Sequence, residues 1–360
     1  MNHRISLLTL GLCFTMSMMA DNPTPRHQLI GRLKKLTRRG MMVGHQDDPV
    51  YGRTWKWELE RSDVKDLTGS YPAVMGFDLG KMELGSELNL DHVPFDRMRQ
   101  EIIAQHQRGG VVTLSWHPYN PVTGENAWDP SGHAVTAILP GGAKHDKFVG
   151  WLTEVARFIK SLKTADGRSV PVIFRPWHEM GGSWFWWGAK SCTPAEYKQL
   201  YIMTHDFVEK TGGCDNVVWA YSPNASAPES EAKMMEYYPG DAYVDLIGVD
   251  IYDFEHDNAK YMERLNQELT VLKEIGRKRK KLIALTETGA QQLPYAEWFT
   301  KVFWKVASRY PIAYTLFWRN AWDNEKELYM SYKGHQTAAD FLRFYEEKRT
   351  LFVNDISNKK

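Results

Sequence analysis

The sequence predicts one closed barrel of eight parallel strands wrapped by helices, a (β/α)8 fold, and three features predict it. Eight short, almost continuously apolar runs recur along the chain, as strands buried on both faces require. Amphipathic stretches of helical length separate them, which implies helical crossovers between parallel strands. Polar residues gather directly after each run, where a barrel presents its mouth. The 360 residues are 43% hydrophobic, enough for one large core, and no linker, repeat or low-complexity block divides them.

The first element is a leader. His3 and Arg4 form a basic start, Ile5 to Met19 is mostly apolar, and Ala20 precedes the polar Asp21-Asn22-Pro23. This reads as a secretory signal peptide over 1–20, cut after Ala20, with the barrel domain occupying 21–360 and the product exported to the periplasm or beyond. Cys13 raises a lipoprotein alternative, which Leu12 directly before it disfavours. No other stretch has the length and apolarity of a membrane span.

The strand candidates in order are Met41 to His45, Ala73 to Asp78, Gly110 to Trp116, Val170 to Arg175, Asn216 to Tyr221, Asp245 to Asp250, Lys281 to Thr286 and Ile312 to Phe317. Helical patterns fall at Phe95 to Gln107, Lys147 to Lys163, Pro194 to Lys210, Tyr261 to Arg279 and Tyr295 to Arg309. The first strand lacks a glycine-rich dinucleotide fingerprint after it, which weakens an open, doubly wound sheet. Cys192 and Cys214 flank the helix starting at Pro194. That helix rises roughly 25 Å, and a disulfide needs Cα atoms within about 7 Å, so the two are not expected to pair.

Composition excludes some partners. With 45 basic and 44 acidic residues, the net charge of +1 gives no electrostatic case for nucleic acid or another polyanion. Tryptophan is plentiful, with 14 copies. Some must be core, while others suit the apolar faces of sugar rings.

The strand ends carry the chemistry. They read His45-Gln46-Asp47-Asp48, Asp78, Trp116-His117-Pro118, Arg175-Pro176-Trp177-His178-Glu179, Tyr221-Ser222-Pro223-Asn224, Asp250-Ile251-Tyr252-Asp253, Thr286-Glu287-Thr288-Gly289 and Trp318-Arg319-Asn320. Two glutamates, Glu179 and Glu287, end the fourth and seventh strands, which face each other across a barrel mouth. Two carboxyls about 5–5.5 Å apart are what hydrolysis of a glycosidic bond with retention requires, one as proton donor and one as nucleophile.

The run Phe174-Arg175-Pro176-Trp177-His178-Glu179-Met180-Gly181-Gly182-Ser183-Trp184-Phe185-Trp186-Trp187 resembles the acid/base region of glycoside hydrolase family 26, whose main members are β-mannanases. Thr286-Glu287-Thr288-Gly289 is similar to its nucleophile strand, and Asp250-Ile251-Tyr252, Gly44-His45-Gln46-Asp47 and Trp116-His117-Pro118 are similar to other family segments. The likeness runs from about Gly40 to about Asn320. It implies that Glu179 is the general acid/base and Glu287 the nucleophile, with Tyr252 donating a hydrogen bond to Glu287. It further implies that His178 tunes the acid, that His117 and Trp318 line the reacting subsite, and that Trp184 flanks the scissile bond. Arg319 would serve a more distant glycone subsite. Asp250 and Arg175 are read as positioning groups inside the mouth, and burial among Trp177, Trp184 and Trp186 would raise the acid's pKa.

The expected substrates are β-mannan chains, cut internally, with no metal or cofactor; oligomeric state carries no sequence signal beyond a default monomer. The alternatives within the family are mannobiose release from a chain end and action on β-1,3-xylan or mixed-linkage glucan. The inserted segment Asn120 to Lys144 is long enough to wall one end of a cleft. Outside the family stand a metal-dependent barrel hydrolase, built on His45, His117 and His178, and a carbohydrate-binding barrel without catalysis. No two of those histidines share a strand end, and both glutamates and Tyr252 are present, which disfavours each.

Overall fold

The computed structural model describes residues 23–225 and 230–357; the leader at 1–20, with Cys13, lies outside the described residues. Strands β1 (Met41–Gln46), β2 (Val74–Asp78), β3 (Val111–Trp116), β4 (Val172–Pro176), β5 (Val217–Tyr221), β6 (Leu246–Asp253), β7 (Leu282–Ala290) and β8 (Tyr314–Phe317) are all parallel. They pair in chain order, and β1 pairs with both β8 and β2, which closes the barrel. A two-residue strand, β9 (Thr350–Leu351), pairs with Met41 and Met42 before β1 takes up β2 at Gly44. All eight strand candidates are strands, and the helical patterns hold at Phe95–Gln107, His145–Ser161, Pro194–Asp206 and Asn258–Arg279. The last pattern is shorter than expected: a π turn at Phe299–Trp304 leads into Lys305–Ala307, seating Phe299 and Phe303 against Phe317 at 5.5 and 5.0 Å.

Alternation along each strand sorts its side chains between two buried layers. Val43, Met75, Phe174, Val217, Leu285 and Phe317 pack outward with the helix faces of Leu152 and Leu269. Met42, Val74, Ile173, Val218, Ala284 and Leu316 fill the barrel interior at its lower end. Helix Pro25–Thr37, capped by the Thr24 side chain, contributes Leu29, Leu33 and Leu36 to that inner layer and so plugs the bottom of the barrel. The same alternation, carried upward, brings Asp78, Ser115, His117, Arg175, Ser222, Asp250, Tyr252 and Trp318 into phase with the interior. Apolar contacts thus hold the floor and polar side chains crowd the mouth.

Glu287 is out of phase with Ala284, three residues earlier, and a bulge corrects it. Val249 pairs with Leu285 but Asp250 pairs with Glu287, so Thr286 is an extra residue in β7. Thr286 is retained inside, its Oγ1 2.6 Å from Ser222 Oγ, and Glu287 joins the inner face as well. A bulge that re-aims a side chain beside a functional site is a recurrent device.

Candidate active site

The strand ends converge on a cleft of about 560 Å³ at the C-terminal face, lined among others by His117, His178, Glu179, Trp184, Asp250, Tyr252, Glu287 and Trp318. Glu179, Asp250 and Glu287 each offer one carboxyl oxygen, and these oxygens all lie within 4.8 Å of one another. Glu179 follows the sharp turn after β4, in which Trp177 (φ 58°) and Glu179 itself (φ 56°) adopt the left-handed conformation that side chains disfavour. Glu179 N–H donates to Ser222 O at 2.8 Å, fixing that turn against the end of β5.

The two glutamates meet different surroundings. Glu287 accepts from Arg175 Nη2 on one oxygen and from Tyr252 OH at 2.7 Å on the other. Arg175 also donates to Asp250 at 2.8 Å, and Ser222 Oγ donates to the second Asp250 oxygen at 2.9 Å. Burial, with Glu287 next, pushes the Tyr252 hydroxyl's pKa well up, so it stays a donor. Glu179 accepts only from Trp184 Nε1, at 2.8 Å, among the described residues. Burial, then the charges of Asp250 and Glu287, raise its pKa well above the ordinary glutamate range. Burial also pushes Asp250 up to about 7, against the opposing pull of Arg175. Three carboxyls around one guanidinium cannot all ionise cheaply, and the proton falls to the member with fewest donors.

Several sequence expectations change in detail. Trp184 does touch Glu179, but Trp177 and Trp186 turn into the outer core, bonding Thr204 Oγ1 and Pro118 O at 3.1 and 2.9 Å. Those two therefore pack rather than enclose the acid. His178 hydrogen-bonds His117, Nε2 to Nε2 at 3.0 Å, instead of Glu179. Arg319 is ion-paired to Asp91 at 2.9 Å and to Glu327, and Glu327 lines the cleft. The metal-centre histidines do not converge: His45 bonds Asp48 at 2.8 Å, away from the His117–His178 pair. The single metal-spaced cluster among the described residues is the carboxylate trio, and Arg175 already sits on it. Cys192 and Cys214 are both free.

Sequence reasoning left other site residues without a role. Asp78 bonds His117 Nδ1 at 2.6 Å, and its place at a strand end was the available signal. Trp128, in the insertion, lines the cleft and stacks on His117 with ring centroids 5.2 Å apart and planes at 11°. Phe185, Asn224 and Tyr329 line it too. Asn224 was visible at a strand end, but the reach of Trp128 and Tyr329 depends on loop paths that no local pattern encodes. Asn120 shapes the inserted loop, donating to Asp129 O and Ser131 O at 2.9 Å.

Comparison with known proteins decides the family, because the model of glycosyl hydrolase family 26 matches residues 20–337. The chain belongs to that family. A family 26 β-mannanase from Bacteroides ovatus superposes with a TM-score of 0.90 at 43% identity, covering 93% of this chain and 96% of that one. The modular endo-β-1,4-mannanase of Cellulomonas fimi superposes at 0.83 with 31% identity, over 93% and 77% of the two chains. A mannan endo-1,4-beta-mannosidase of Bifidobacterium adolescentis is 31% identical over 317 residues, 82% of this chain but only 31% of that relative's length. A Bacillus subtilis protein of the same name is 29% identical over 278 residues, 73% and 70% of the two. Among the described residues no helix of this family 26 chain is long and apolar enough to cross a membrane.

Proposed function

We propose that this family 26 chain is an endo-acting β-1,4-mannanase that retains anomeric configuration, with Glu179 as general acid/base and Glu287 as nucleophile. The observation that carries the reading is the approach of the two glutamates' oxygens to within 4.8 Å across one cleft, in unlike surroundings. That separation suits direct attack and leaves no room for the water an inverting pair must hold between its carboxyls. Glu179 gives its proton to the glycosidic oxygen as the bond to the leaving sugar breaks, and a Glu287 oxygen bonds the anomeric carbon. Esterification removes the Glu287 charge that helped raise the Glu179 pKa, so Glu179, now a carboxylate, becomes the better base. It takes a proton from the water that attacks the same carbon and frees Glu287. Trp318 and His117 line the position of the reacting sugar, Trp184 flanks the bond and holds Glu179, and Arg175, Asp250 and Tyr252 orient Glu287. The relatives' names support mannan as substrate, and the predicted leader over 1–20 supports action outside the cytoplasm.

A time course of products from β-mannan and mannohexaose tests the reading. A ladder of oligosaccharides is expected. Mannobiose alone from the first time points overturns internal cutting, and hydrolysis of β-1,3-xylan or mixed-linkage glucan without mannan overturns the substrate.

A further inference from the structure

Asp78 lies beneath the cleft, fully buried, and is not among the residues that line it. Its Oδ1 accepts from Gly80 N–H at 2.7 Å and His117 N–H at 3.2 Å; its Oδ2 accepts from Ser115 Oγ at 2.6 Å and faces His117 Nδ1 at 2.6 Å. Burial alone would neutralise it, but His117 and these donors prevail and hold its pKa below the usual range. Such a carboxylate only accepts, so His117 Nδ1 must carry a proton. The other nitrogen of His117 meets His178 Nε2 at 3.0 Å. With His117 neutral, His178 must donate through Nε2–H and keep Nδ1 bare. His178 Nδ1 is buried without a hydrogen-bond partner, which a bare acceptor tolerates better than an orphaned N–H. The charged groups facing His117 are Asp78 and Glu287, which favour its cation, and Arg175, which opposes it. Burial opposes it most, but the carboxylates prevail and hold its pKa above the usual histidine value, so the neutral form is the one present at pH above that value. Burial, Arg175 and His117 all keep His178 neutral.

We propose that Asp78 is a positioning residue for the hydrolytic reaction, fixing the Nδ1–H tautomer of His117 and, through it, the Nε2–H tautomer of His178. It touches no sugar. It acts through His117, which Trp128 clamps from one face, so that the two imidazoles beside the carboxyl pair present one proton arrangement to the reacting ring. The inference rests on the mannanase reading for its kinetic consequence, but the tautomers follow from the hydrogen-bond geometry wherever His117 is neutral.

Asp78→Asn is the decisive variant, because its shape is kept and its polarity is not. The two backbone N–H groups at Oδ1 hold the amide oxygen there, so the NH2 replaces Oδ2 and donates towards His117 Nδ1. His117 must then carry its proton on Nε2, donor against donor with His178. The expected result is kcat on mannohexaose lowered about 10²-fold with KM little changed, the size of loss that a small misplacement at a reacting centre brings. His178→Gln, whose amide can turn its oxygen to His117, should restore part of that loss when added to Asp78→Asn. An Asp78→Asn enzyme within twofold of the parent, or strictly additive losses in the pair, overturns the proposal. Long-range nitrogen–proton NMR of the unaltered protein gives a readout independent of variant folding. Recorded at a pH above the His117 pKa, His117 Nδ1–H with His178 Nε2–H supports the proposal. A His117 Nε2–H neutral tautomer, or a His117 that stays doubly protonated across the pH range of activity, overturns it. If the unaltered enzyme cleaves no mannan, the mannanase reading fails while the NMR result still judges the tautomers.

Discussion

Charge balance around Arg175 governs the chemistry at the scale of single residues. One guanidinium serves Asp250 and Glu287, while Glu179 has a single indole donor among the described residues, so the three carboxyls differ by the donors they meet. Glu179→Ala is expected to lose about 10²–10⁴-fold in kcat/KM on mannan and far less in kcat/KM on aryl glycosides with good leaving groups, whose turnover stays slow because water attack still lacks its base. Equal losses of kcat/KM on both would contradict an acid role. Glu287→Ala should be inactive and rescued by azide to the α-glycosyl azide, and a β-azide would contradict the nucleophile. The pH profile supplies a third test. Glu179 works protonated, so activity falls as pH rises through its raised pKa. Asp250→Asn removes one of the charges that raise it, so the alkaline limb of kcat/KM moves to lower pH. A limb that stays put or moves up would mean another group sets it.

Among the elements, β7 matters most. Its extra residue, Thr286, turns Glu287 from the outer layer, where Leu285 sits, to the inner face beside Asp250. The bulge has room because β6 places a glycine opposite: a Cβ on Gly248 would lie 2.4 Å from Thr286 Cγ2 and Oγ1. Gly248→Ala should therefore cost about 1–3 kcal/mol by overpacking and lower kcat by displacing Glu287. Adding Thr286→Ala, which removes both clashing atoms, should restore melting temperature and part of the rate. Additive losses in the double variant would show that the bulge is not the point of strain.

At the scale of the whole molecule, floor and mouth are built separately. Apolar side chains and the Pro25–Thr37 plug seal the lower barrel, so the mouth can hold buried charges that by themselves oppose folding. Leu33→Ala, at a fully buried plug position, is expected to cost about 2–5 kcal/mol with kcat nearly unchanged at temperatures where the protein stays folded. A large fall in kcat with an unchanged melting temperature would show that the plug and the mouth are coupled.

Eight apolar runs, their spacing and the polar residues that end them were legible from the chain, because a strand buried on both faces is a short, local run of apolar residues and a barrel places strand ends together by topology alone. Glu179 and Glu287 followed from that, whereas Tyr252 beside Glu287 was implied by the resemblance to family 26. Tertiary structure alone decided what breaks the local pattern: the Thr286 bulge, the turning of Trp177 and Trp186 into the core, the pairing of His178 with His117, and the reach of Trp128 over that pair. Each depends on neighbours distant in sequence, and the direction of a buried side chain is set by which of those neighbours can satisfy its polar atoms.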